Sequence, residues 1–131
     1  MANPNIVNVA TINGESVGYN LTATTTTTLL TVSSNKLLKV NRITCANVDG
    51  TNAATVDLFV DGLTTAGATG FAGTGADATV YLAKTVSVPA DATLVISDTP
   101  IYLMEGDILK GGASASGDLD LFISYEVLDD A

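Results

Sequence analysis

The chain has 131 residues, with 14 Asp and Glu against 5 Lys and Arg, a net charge of −9, and neither His nor Trp. That length is most simply one domain, long enough to bury a core without disulfide or metal staples. The acidity argues against nucleic acid and against an anionic membrane surface as partners, because phosphates would repel such a chain.

The opening residues, MANPNIVNVATING, have no basic stretch and no long apolar run, which argues against a secretory signal. No later run approaches the roughly 20 apolar residues of a membrane span. The protein is therefore expected to be made and used in the cytosol, or to leave it by a route other than secretion.

Residues 1–35 differ in character from the rest. Ile6, Val7 and Val9 suggest a short strand, Asn13-Gly14 a turn, and Glu15 to Asn20 a returning strand. Then come five threonines, Thr24, Thr25, Thr26, Thr27 and Thr28, before Leu29-Leu30-Thr31-Val32. Threonine is β-branched and favours extended backbone. A run of it specifies register poorly, because its two faces look alike. The segment is expected to be an N-terminal arm or a pair of edge strands, able to pair with a neighbouring subunit as well as with its own sheet.

Ser33 to Lys36 reads as a turn into the best-defined unit, Leu37 to Asp61. Leu38 and Val40 share one phase of a first strand, and Ile43 and Cys45 the other, so a bulge or bend is expected at Asn41-Arg42. Asn47 to Asn52 contains Asp49-Gly50 and supplies a turn. On the second strand Val56, Leu58 and Val60 point one way, and Asp57 and Asp61 the other. Cys45, the single cysteine, cannot form an internal disulfide and is expected inside as a small apolar residue.

Gly62 to Ala78 holds five glycines and shows no hydrophobic period. It is expected to be an exposed insertion, with Phe71 its one large apolar residue besides Leu63. From Thr79 to Val88 the pattern returns, with Val80, Leu82, Val86 and Val88 on one face and Lys84 interrupting it. Pro89-Ala90-Asp91 turns the chain, Leu94 and Ile96 mark a strand, and Pro100 to Met104 another. Glu105-Gly106-Asp107 is a tight turn before Ile108-Leu109-Lys110. In the last strand Leu119, Leu121, Ile123, Tyr125 and Val127 alternate with Asp120, Phe122, Ser124 and Glu126, and only Phe122 spoils a two-faced strand.

About eight to ten short strands at regular spacing, with no helical period, predict an all-β fold: an antiparallel β-sandwich, jelly-roll or immunoglobulin-like. The domain is expected over 36–131, with the insertion at 62–78 and the arm or edge strands over 1–35.

The residues offer little chemistry. Without His there is no Ser-His or Cys-His constellation, and the Lys residues lie in no supporting motif. No glycine-rich stretch fits a phosphate loop. Asp118 and Asp120, Asp129 and Asp130, and Asp57 and Asp61 lack the ligand spacing of a calcium loop, so a solvated face is the expectation. Four Tyr, three Phe and no Trp are poor material for a sugar-cleaving groove. Neither an enzyme nor a cofactor- or metal-binding protein is expected.

VNRITCANVDGTNAATVDLFVDG, YLAKTVSVPADATLVI and PIYLMEGDILKGGASASGDLDLFISYEVL together resemble small structural proteins of tailed bacteriophages, over about residues 37 to 128. The matching features are Ala46-Asn47, the Gly50-Thr51 turn before a Val-rich strand, the Pro89-Ala90 turn, and the Gly106-Asp107 turn. The Gly62 to Ala78 loop is longer than in that pattern, and the threonine-rich beginning is not part of it. The resemblance implies a virion protein acting through protein-protein contacts, of the capsid decoration (cement) type. Its partners would be the major capsid protein or other virion proteins, and its own copies in a homo-oligomer, a trimer. A net charge of −9 suits the exterior of a shell better than a face beside packaged DNA. Assembly is expected in the host cytoplasm. Tail, neck or fibre-attachment proteins and carbohydrate-binding modules are alternative readings of such a sandwich. The residues expected to make contacts are Thr24 to Thr28, Leu29 and Phe71.

Overall fold

The computed structural model describes residues 7–61 and 79–129. The expected insertion, with Leu63 and Phe71, lies outside the described residues. Within them the chain forms nine strands and no helix. These are β1 (Thr11–Asn20), β2 (Thr27–Thr31), β3 (Lys36–Asn47), β4 (Ala54–Asp61) and β5 (Val80–Val88), then β6 (Thr93–Ser97), β7 (Ile101–Leu103), β8 (Ile108–Ala113) and β9 (Leu119–Asp129).

The strands make two antiparallel sheets. One has the order β1-β9-β3-β6, with β7 also pairing β3; the other has the order β2-β8-β4-β5. The first strand thus pairs the last, the second the next to last, and β4 pairs β5 at the far end. That is a long antiparallel ribbon rolled into two layers, a jelly roll. The order decides between the two sandwiches that strand spacing alone left open.

The core follows from period-two alternation. On β9, Leu119, Leu121 and Ile123 are buried, while Phe122 on the opposite face is 51% exposed. On β3, Leu38 and Val40 are buried, and so are Ile43 and Cys45. Their change of phase is absorbed by a bulge, since the register with β9 shifts between Val40 and Arg42. Val56, Leu58 and Val60 of β4 close the core from the other sheet. Each such side chain contributes about 1.5–3 kcal/mol by leaving water.

Strand β5 departs from the expected face. Val88, Val86, Ala83 and Val80 stand opposite Ala54, Val56, Leu58 and Val60. Two register shifts place Ala83 inward and leave Leu82 on the surface, 37% exposed. The first bulge holds Thr85 at φ 52°, a costly conformation for a β-branched residue. Asp57 stabilises it by accepting the Thr85 N–H at 2.5 Å.

The beginning of the chain also differs from expectation. Asn13 and Gly14 do not turn: they lie inside β1, which pairs β9 without interruption from Thr11–Asp129 to Asn20–Asp120. Ten consecutive pairs along the strongest strand of the sheet outweigh a local Asn-Gly preference. Residues 11–20 and 27–31 serve as edge strands, one in each sheet. Leu21 and Val32 beside them are buried in the shared core.

Among the described residues two polar side chains are buried. Asn47 donates to the carbonyls of Asn52 and Val88, both at 2.9 Å, and its side-chain oxygen accepts the Asp49 N–H at 2.9 Å. It ties the β3–β4 loop to the end of β5. Asp107 accepts the Met104 N–H at 2.8 Å through Oδ2, while its Oδ1 has no hydrogen-bond partner. The Asp107 carbonyl accepts from Val32 N–H, and Gly106 N–H donates to the Val32 carbonyl, so this turn closes against the end of β2.

Candidate interaction surface

The threonine run is half turn and half strand. Thr27 Oγ1 donates to the Thr24 carbonyl at 2.9 Å and lies 3.4 Å from Thr22 Oγ1. Ala113 N–H donates to the Thr22 carbonyl at 2.9 Å. The Thr24-Thr25 backbone presses on Gly112, where an added Cβ would sit 2.4 Å from the Thr24 oxygen. Only a glycine fits beneath that turn. Thr27 and Thr28 then pair Gly111 and Lys110 as β2 begins. A register shift at Leu29 lets the adjacent Leu29 and Leu30 both pack against the core. The expected contact residues Thr24 to Thr28 and Leu29 thus sit together at the border of the β2–β8–β4–β5 sheet. Phe71 lies outside the described residues.

β1 and β2 border the same side of the sandwich. Tyr19 Oη donates to the Leu29 carbonyl at 2.5 Å and joins them at one end. Burial pushes the Tyr19 hydroxyl pKa up, with a smaller push from Tyr125. Toward the other end the sheets diverge into an open cleft of about 260 Å³, floored by Leu38, Tyr125 and Val127 and rimmed by Asn13, Glu15 and Lys36. Tyr125 Oη reaches Glu15 at 3.5 Å, and Lys36 pairs Asp129 at 2.6 Å. Burial raises the Tyr125 pKa, and the charge of Glu15 adds to the effect.

Several other reactive groups are buried or paired within the fold. Cys45 is fully buried, and burial, helped by the charge of Asp120, pushes its thiol up to about 11. Asp61 pairs Lys110 at 3.0 Å, and Asp120 accepts from the Asn20 side chain at 2.7 Å. Asp49 is held below the usual carboxylate range by the Thr51 N–H and then by the Asn52 side chain. Among the described residues no three acidic or cysteine side chains converge as a metal cluster would require. No helix there is long and apolar enough to cross a membrane.

Sequence reasoning expected edge strands within residues 1–35 but broke β1 in two, because it read Asn13-Gly14 as a turn. A backbone edge carries no residue signature of its own.

No family model matches the chain, and no curated protein matches it by sequence. Among solved structures it is similar to the core of the Drosophila protein NLP, described in terms of pentamer formation and histone binding. That likeness has 12% identity and a TM-score of 0.44, over 90% of this chain and 98% of that one. It is also similar to infectious bursal disease virus of the Gx strain, at 11% identity and a TM-score of 0.43, over 91% of this chain and 32% of that one. The VP2 subviral particle of the same virus gives 13% identity and a TM-score of 0.38, with 91% and 32% covered. The chain therefore spans about a third of the bursal disease virus chains it matches.

Proposed function

We propose that this chain is a structural protein of a bacteriophage virion, a decoration protein that binds the outer surface of the capsid through protein-protein contacts. The observation that carries the reading is the placing of β1 and β2. Both sheets end, on the same side of the sandwich, in edge strands drawn from the first 31 residues. Edge strands offer main-chain donors and acceptors to which a segment of another protein can add. The resemblance of residues 37 to 128 to small phage structural proteins supports the same reading. Of its landmarks, Ala46-Asn47 ends β3, and three fall in loops: Gly50-Thr51 between β3 and β4, Pro89-Ala90 before β6, and Gly106-Asp107 before β8.

Copies acting as a homo-oligomer would add many modest contacts into tight attachment. A net charge of −9 favours a position away from packaged DNA. Purified protein should bind, saturably, to particles prepared without it, and antibody-gold labelling should place it on their exterior. Failure to bind such particles contradicts the proposal.

A further inference from the structure

The four sheet edges are not equally protected. β2 has five residues and a bulge, β5 is kinked by two register shifts and carries Lys84, and β6 has five residues and a shift of its own. Short length, bulges, lysine and inward-pointing charges are among the devices that keep edges from pairing. β1 lacks the first three: it runs for ten residues with no register shift, no proline and no lysine. Its one guard is Glu15, a charge that turns to the inter-sheet side, toward Tyr125.

Gly14 adds a second observation. A Cβ built there meets nothing within 4 Å, and its φ is not positive. Among the described residues neither space nor backbone conformation requires a glycine at this point. Close approach by another backbone is one use of a glycine within a strand.

We propose that the outer edge of β1 pairs with β1 of a second copy across a two-fold axis, joining the two β1-bearing sheets into one. The register follows from simple constraints. A two-fold axis perpendicular to the sheet pairs only residues that face the same side, so the axis must pass through a residue opposite itself. Two such registers use nearly the whole strand, centred on Glu15 or on Ser16. The first sets Glu15 against Glu15, which like charge disfavours. The second sets Ser16 against Ser16, Gly14 against Gly18, Glu15 against Val17, and Asn13 against Tyr19.

Backbone phase permits either register, so the choice of Ser16 rests on the Glu15 charge. Leu21, just past β1, donates its N–H to the Leu119 carbonyl at 2.8 Å. By alternation Tyr19, Val17 and Glu15 turn their backbone groups to β9, and Gly18, Ser16 and Gly14 turn theirs outward. In this register the exposed ring of Phe122, which already lies 3.8 Å from the Cβ position of Gly18, stands beside Gly14 of the partner. An aromatic ring beside facing glycines shields backbone that has no side chains of its own. This inference does not rest on the virion reading; with the β1 edge taken up by a second copy, attachment to another protein by strand addition falls to the β2 edge.

Light scattering on the purified chain should give twice its 13.3 kDa mass. Ser16→Lys and Ser16→Glu should each give the mass of a single chain with an unchanged strand spectrum, because each sets like charges face to face. Mixing the two variants should restore the doubled mass, since an ammonium then faces a carboxylate across the axis. Ser16→Thr should stay dimeric. A single-chain mass for the wild type overturns the proposal, as does a mixture of the two charged variants that stays monomeric. So does any association that Ser16→Lys leaves unchanged, including the trimer implied by the phage resemblance.

Discussion

Asn47 does more for this fold than its single polar side chain suggests. It is 4% exposed and joins the β3–β4 loop to β5 through bonds to Asn52, Val88 and Asp49. Asn47→Ala removes the bond to the buried Val88 carbonyl and to two part-buried groups that water can reach, and should cost about 1–3 kcal/mol, the penalty for one buried group left unpaired. A melting curve within a degree of the parent's would contradict this. Asp107 works in the opposite direction. Burial raises its carboxyl pKa above the ordinary 3.8, and the Met104 N–H only partly offsets that. The folded chain therefore holds the proton to higher pH than the unfolded chain. The site's contribution is fully present below pH 3.8 and is lost as pH rises through the folded value. Asp107→Asn keeps an acceptor for Met104 without the buried charge. It should melt above the parent at neutral pH, and the gap should close at pH 3; a gap that widens toward acid would exclude this account. Cys45, buried and with its thiol raised, should react with a thiol reagent only after unfolding.

At the scale of elements, what could be read in advance was whatever depends on one strand's own periodicity. β9, β3 and β4 were legible as strands because Leu121, Ile123, Val56 and Leu58 repeat every second residue, and even the bulge beside Val40 showed as a change of phase; but β3 and β4, which read as two strands joined by a short turn, lie in different sheets and do not pair. β5 was not legible in detail. Its two bulges move Ala83 inward in place of Leu82, and nothing local announces a bulge held by Asp57 on a neighbouring strand. Thr85→Gly should therefore relieve strain at φ 52° and raise stability by about 1 kcal/mol, read as a higher midpoint in denaturant. β1 was misread because a local turn signal conflicted with pairing to a strand more than 100 residues away, as in Asn13 with Val127. Gly112 marks the matching limit for β8. Its need for a missing side chain comes from the Thr24-Thr25 turn, far off in sequence. Gly112→Ala should cost about 1–3 kcal/mol through overpacking, and a thermal scan would show it. Deleting residues 1–34 would strip β1 and β2 from both sheets and expose the core at Leu121 and Leu109, so the N-terminal segment cannot be treated as a detachable arm.

For the whole molecule, the sandwich class was legible from strand count and spacing, while the jelly-roll order was not. Which strand pairs which depends on contacts such as β1 with β9 that no window of sequence contains. The candidate surface was legible only in part. The threonine run directed attention to the β2 border of the sandwich, yet the longer edge is β1, which is a property of the assembled sheet. The central claim is that this acidic, rolled β-sandwich coats a virion. It is tested most directly by quantitative mass spectrometry of virus particles purified from the source that encodes this chain. The protein should be present in hundreds of copies per particle, in fixed proportion to the major capsid protein. Its absence from purified particles would contradict the account.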